Sequence, residues 1–551
     1  MRQGRDVVAG FAYVVIVSVC AHLLFSSLGF NPTDDGFLLA FSRRILESQV
    51  PHRDFISVRP ALSAFLWVPV VQFGGEYVFW LSRFFVLSQF ALISWAWMLF
   101  ISRLFDIHLS LTEKILASIV VFVTSLYKSS LIAQHTVDGI FFVSLGLLFW
   151  LKGSKTSCLV GYVLIGAAYL CKQSFFLLPV AALVVLGDWR HVRNWLAIAA
   201  PGILYLCYLG WNGAVLDALA QVLSPDGLFF SVGVWRYVTG YDFLWGVILG
   251  YAIIGFEWPV SSPTSSAKLR LLRLAQTLVV FLVLATDAVV LARGNTSHIF
   301  RLSFLLFGAV LGLALRLAFW SEKRCGAIRA LAMVLVTAWS ASLSNGCNAP
   351  VLVAGPLALC LLAYIRFRMD CLEEPAWPAK LSMVFQFLTS LLLIVGFVIA
   401  RFNHIYRDLP APALTKSLDG VLPGGKLIRT NPNTYDYLVD LHTAIDKADG
   451  RIYAILPDNA GFWVKHSHVN PLPADWADWL LPGRFGKPSQ LARIVDALEA
   501  HRGHIVVIVQ KVSARSLATG FKPLEKRYPI VDYVKSNFSK VDETKYFELY
   551  E

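Results

Sequence analysis

The chain is 551 residues long, 57% hydrophobic, 14% aromatic and only 15% charged, with a mean hydropathy of +0.61. That balance excludes an ordinary water-soluble enzyme and puts most of the chain in a bilayer. A net charge of +12 would suit nucleic acid, but the basic residues are scattered between apolar runs and form no stripe or binding module, so anionic lipid explains them better. The eight cysteines lie in or beside apolar segments and follow neither a disulfide framework nor a zinc spacing.

The first apolar run, Val7 to Leu28, follows Arg2 and Arg5 and is longer than a signal-peptide core. It is expected to stay as a helix that starts in the cytoplasm. At about 20 apolar residues per crossing, helices are expected near 7–29, 76–105, 113–131, 137–152, 157–171, 174–187, 195–211, 241–257, 272–292, 299–318, 329–344, 350–367 and 381–401. The fold expected is therefore an all-α membrane bundle of about thirteen transmembrane helices. Pro60 to Phe73 is apolar but short, and reads as a helix lying at the interface.

An odd number of crossings sends the C-terminal part outside. Loops on the inner side then hold Lys152, Lys155, Arg190, Arg193, Lys268, Arg270, Arg273, Lys323, Arg324, Arg329, Arg366 and Arg368, the positive-inside pattern. Arg53, Arg59, Lys128, Lys172, Arg236, Arg293, His298 and Arg301 run against that pattern, as binding of a lipid phosphate on the outer side would require. Taken singly, each is more often an interface anchor or headgroup partner than a substrate ligand.

From about His404 the charged and proline content rises and no run is long enough to span. Short β-like runs (426–429, 451–456, 504–510, 546–550) alternate with helical patterns (434–447, 489–501, 530–538), which reads as a soluble α/β domain without a phosphate loop or nucleophile elbow. The expected layout is a membrane catalytic domain over 1–403, with a first outer loop at 30–75, and an extracytoplasmic α/β domain over 404–551. The membrane is expected to be a bacterial inner or plasma membrane.

The stretch NPTDDGFLLAFSRRILESQVPHRDFISVRPAL, Asn31 to Leu62, carries the chemistry. It sets the Asp34–Asp35 pair at a membrane face, followed by Arg53 and Arg59, and so combines a candidate base with candidate anion ligands. The competing reading is that both aspartates cap the helix beginning near Gly36. Asp138 follows Gln134, His135 and Thr136 on the same face, and it too has a helix-capping reading. Asp287 lies inside a helix end, where an unpaired carboxylate is costly; pairing with Arg293 or another helix's cation is the structural explanation. Lys172-Gln173 interrupts two apolar helices, where the lysine either snorkels or contacts a phosphate.

TDDGFLLAFSRRILESQVPHRDF followed by RPALSAF resembles the first outer loop of the C-type integral membrane glycosyltransferases. It is similar to the branch of protein O-mannosyltransferases and lipid A aminoarabinose transferases. In that family an acidic pair, an ARxxLxG-like helix, a PYRD-like turn and a K/R-P-x-L segment follow in order; Asp34-Asp35, Ser42 to Glu47, Pro51 to Asp54 and Arg59-Pro60 occupy those places. Val137-Asp138-Gly139, Cys171-Lys172-Gln173, Ser297-His298, the tail segment LPDNAGFWVKHSHVNP and the ending VDETKYFELYE extend the likeness along the chain. The chain departs from the pattern at Arg59, where many relatives have Lys and a second Pro.

The resemblance implies transfer of one sugar from a polyprenyl-phosphate donor to a glycan, lipid or protein acceptor on the outer face. Asp34 would be the general base, Asp35 would orient it or the acceptor, and Asp138 would assist. Arg59, Lys172 and His298, with Arg53 and Arg293 behind them, would neutralise the leaving phosphate, and direct attack would invert the anomeric carbon. No cofactor is implied and no metal is demanded, since Lys or Arg can neutralise a single phosphate, while the acidic pair leaves a divalent cation open. No nucleic-acid partner is expected. Two other classes compete: a multi-span transporter or flippase for a lipid-linked or anionic substrate, and a polymerase or ligase moving whole pyrophosphate-linked glycans.

Overall fold

The structure is a computed structural model and describes residues 2–127, 129–223, 228–256, 265–294, 297–320, 325–343, 349–370, 377–477, 487–524 and 528–551. Lys128, Lys323, Arg324 and part of the 212–240 loop lie outside the described residues. The protein is mostly helical, with a small sheet region near the C-terminus.

The N-terminal part opens with α1 (Arg2–Phe25), α2 (Phe37–Leu46), α3 (Leu62–Gly74), α4 (Val78–Leu104), α5 (Leu111–Leu126), α6 (His135–Trp150), α7 (Lys155–Cys171) and α8 (Leu178–Leu186). Further apolar helices follow at Val192–Trp211, Ser265–Ala292, His298–Trp320, Cys325–Ser342, Ala354–Asp370 and Trp377–Asn403. Local chemistry sets several ends. Ser110 accepts from the Glu113 amide while Glu113 reaches back to the Ser110 amide, a capping box that starts α5. Gly187 ends α8 in the left-handed conformation that only glycine adopts freely.

Every apolar segment picked out in the sequence is helical over most of its length. Among the described residues, however, seven helices are long and apolar enough to cross a membrane, or eight if Gly233–Thr239 and Tyr241–Ile254, bent by 60° at Gly240, form one span. The expected thirteen exceeds this because α6, α7, Gln173–Leu186 and Phe387–Asn403, and α5 with its sixteen residues, are shorter. At 1.5 Å per residue, sixteen residues reach about 24 Å against a hydrocarbon core of about 30 Å. The short helices pack closely all the same. Gly146 and Gly161 face one another, so that a side chain on either would strike the other's carbonyl, and α6 and α7 approach at backbone distance.

The sheet region holds β1 (Lys416–Ser417), β2 (Arg429–Thr430), β3 (Ile452–Leu456), β4 (Ile505–Gln510), β5 (Lys540–Glu543) and β6 (Phe547–Tyr550). The main sheet has the order β3-β4-β6-β5: β3 runs parallel to β4 in the register Ile452↔Ile505, and β4 and β5 both run antiparallel to β6. The helices Pro432–Asp446, Pro488–Ala500 and Pro529–Asn537 complete the α/β layers. All six β4 residues are buried, the continuous apolar run expected of a strand covered on both faces. The expected strand at 426–429 shrinks to the two residues of β2, and β1 and β5 went unread because their exposed polar residues carry no apolar period.

The two parts are stitched through the first loop. Arg429 exchanges backbone hydrogen bonds with Ser27 and Gly29, the Ile56 amide donates to the Pro473 carbonyl, and Lys426 donates to the Glu76 carbonyl. Ile56 and Val58 enter the same buried cluster as Leu456, Ile494, Leu498 and Val507. The loop that follows the first helix is thus part of the second domain's core.

Candidate active site

The turn carrying the acidic pair is shaped by Asn31. Its Oδ1 accepts from the amides of Thr33 (3.2 Å) and Asp34 (3.1 Å), its own amide donates to Asp35 Oδ2 (2.9 Å), and its side-chain nitrogen donates to the Ala514 carbonyl (3.1 Å). Asparagine forms such turns because its short side chain imitates a backbone carbonyl. The N-cap of α2 is Gly36 with no side-chain cap, so the capping reading of Asp34 and Asp35 is not what these side chains do.

The two carboxylates diverge. Asp35 is buried and meets Arg83 at 2.7 Å, while Arg83 also donates to the carbonyls of Ser26, Leu28 and Gly29, the unpaired acceptors at the end of α1. Asp35 therefore anchors the loop to α4. Asp34 turns the other way: its Oδ2 receives the Tyr406 hydroxyl (2.7 Å) and pairs with Arg407 (2.5 Å). Its Oδ1 has no partner among the described residues, and the side chain is 15% exposed.

On α2, one turn beyond Asp34, Phe37 packs edge-on against Trp476 (ring centroids 4.4 Å apart) and His135 (5.8 Å). Arg59 and Lys172 are the charged neighbours of His135. Lys172 has an extended backbone between α7 and the short turn Gln173–Phe175, and its Nζ donates to Thr136 Oγ1 at 3.1 Å. Gln173 donates to the Val58 carbonyl (2.8 Å), which fixes this helix break against the Arg59 loop. Arg59 is mostly withdrawn from water, and its guanidinium makes no hydrogen bond or ion pair among the described residues. Burial pushes its pKa down to about 10, which still leaves it cationic at neutral pH. The structure thus brings Arg59 and Lys172 together, as their sequence positions suggested, and adds His135.

The remaining predicted residues are elsewhere. Asp138 is not in a water-facing connection: it is fully buried in the first turn of α6, accepting from Trp67 Nε1 (3.1 Å) and Gln89 Nε2 (2.8 Å). It ties α3, α4 and α6 together and caps nothing. His298, expected at the phosphate, pairs through Nδ1 with Asp287 at 2.8 Å, so the buried Asp287 is matched by His298 rather than by Arg293. Arg53 is exposed and bound to its neighbour Asp54 (2.8 Å), and Arg293 is exposed with no contact to the other candidates. Among the described residues no three His, Cys, Asp or Glu side chains gather as a metal ion would need.

Sequence reasoning missed Tyr406, Arg407, His135 and Trp476. Tyr406 and Arg407 sit in what reads as a linker, and a contact across 372 residues leaves no local pattern; His135, at the start of an apolar helix, carries no spacing that marks it as a ligand. No family model matches the chain, and neither a curated protein nor a solved structure matches it.

Proposed function

We propose that this chain is a membrane glycosyltransferase that moves one sugar from a polyprenyl-phosphate donor to an acceptor at the end of the bundle that carries the α/β domain. The observation that supports this most is Arg59: a partly buried guanidinium without an anion among the described residues, beside His135, which also neighbours Lys172. An uncompensated cation in such a place is costly, and a phosphate offsets the cost with paired, charge-assisted hydrogen bonds. A lipid-linked phosphate reaches this boundary from the bilayer, which a soluble anion does not.

The chemistry runs from Asp34 to the cations. The acceptor hydroxyl gives its proton to Asp34 Oδ1 as its oxygen bonds to the anomeric carbon. The bond from that carbon to the phosphate oxygen breaks, and the phosphate leaves with the electron pair toward Arg59, Lys172 and His135. Tyr406 and Arg407 hold Oδ2 and so aim Oδ1. Attack opposite the leaving phosphate inverts the anomeric carbon. In the same reading the seven long helices, the bent pair, the four shorter apolar helices and α5 make thirteen crossings, with the N-terminus cytoplasmic and the α/β domain outside.

A binding experiment separates the two groups. Arg59→Met should weaken the affinity of the purified chain for polyprenyl phosphate at least about tenfold, the scale of one lost charge-assisted contact, while Asp34→Asn should leave that affinity within about twofold. Equal affinity in wild type and Arg59→Met would remove the phosphate assignment.

A further inference from the structure

Beside Tyr406 lies a cavity of about 30 Å³, walled by Phe25, Leu28, Leu131 and Ile405 and reached by Arg83, Asp35 and Arg401. Its charges do not balance. Arg83 is paired with Asp35, whose other oxygen takes the Asn31 amide, and Arg407 is paired with Asp34. Arg401, in the last turn of the Trp377–Asn403 helix, is 8% exposed, and its Nε and one terminal nitrogen are buried without a hydrogen-bond partner. Among the described residues its guanidinium lies over the Phe397 ring at 5.6 Å, and Arg83 lies near enough to repel it.

We infer that this cavity binds a small inorganic anion, chloride by size and charge, on Arg401. A space of about 30 Å³ exceeds the 10–15 Å³ that one water needs and so admits a monatomic anion. Apolar walls with a single unmatched guanidinium favour a weakly hydrated monovalent ion over a strongly hydrated one. The ion completes the charge pairing of the segment that carries Tyr406 and Arg407, and so fixes the residues that hold Asp34. It therefore acts at a distance from the donor phosphate and is independent of what that donor is.

The test uses the full chain in detergent, with its unfolding temperature measured as gluconate, a bulky and strongly hydrated anion, is replaced by chloride at constant ionic strength. Wild type should show a saturable rise of a few degrees, since a ligand of the folded state alone stabilises by mass action. Bromide should reproduce the rise, Arg401→Met should abolish it, and Arg59→Met should keep it, which separates this cavity from the donor site. If Arg401→Met does not fold, equilibrium binding of radioactive chloride to wild type decides: one bromide-displaceable ion per chain supports the site. An unfolding temperature indifferent to chloride, or no retained ion, overturns it.

Discussion

Asp34 and Asp35 are adjacent in sequence and opposite in situation, and that difference decides which of them can take a proton. Both Asp35 oxygens are occupied inside the protein, by Arg83 and by the Asn31 amide. One Asp34 oxygen has no partner among the described residues. Asp34→Asn keeps the size and the Tyr406 hydrogen bond but removes the base, so sugar transfer should fall by about 10²-fold or more, the range for losing general-base catalysis, while losing the partly exposed pair with Arg407 should lower the unfolding temperature only modestly. Asp35→Asn should act differently: it strands Arg83 and lowers the unfolding temperature, a loss of several kcal/mol being usual when one partner of a buried pair is removed. A thermal melt of the two variants side by side checks the distinction. Comparable melts would show that the pair shares one role.

At the level of elements, the loop is clamped rather than draped. Arg44 in α2 reaches Asp475 through two hydrogen bonds of 2.6 and 2.7 Å, with both side chains buried. Gly36 meets Gly461 so closely that a side chain on either would strike backbone. Asp475→Ala should cost about 3–5 kcal/mol, because Arg44 would remain buried without its anion. Gly36→Ala should uncouple α2 from the short helix Ala460–Trp463, and limited proteolysis of purified protein should then cut the 31–60 loop that the wild type protects. The apolar periods made the helices and β3, β4 and β6 legible in the sequence, since burial dictates those patterns. The clamps were not legible. Arg44 reads as an ordinary surface cation on an amphipathic helix, and its partner is 431 residues away.

The whole molecule joins a helical part, with seven helices among the described residues long and apolar enough to cross a membrane, to an α/β part whose core takes in residues of the first loop. Alternation of loop and helix leads the sequence to predict Asp34, Arg59 and Lys172 at one end of the bundle; among the described residues Arg59 and Lys172 share the neighbour His135, and Asp34 meets Tyr406 and Arg407. The sequence did not tell that Asp138 would turn inward or that His298 would pair with Asp287; both needed the packing of helices distant in sequence. If the α/β part is outside, a lone Cys introduced by Ser467→Cys should react with an impermeant thiol reagent in intact cells, and protection there would reverse the orientation. The most direct test of the central claim is to incubate the purified full chain with a radiolabelled polyprenyl-phosphate sugar and membrane acceptor, comparing wild type with Asp34→Asn. The account predicts label moving onto the acceptor with free polyprenyl phosphate released, and no movement in the variant; a glycosyl-phosphate bond left intact by the wild type, or equal transfer by both, would contradict it.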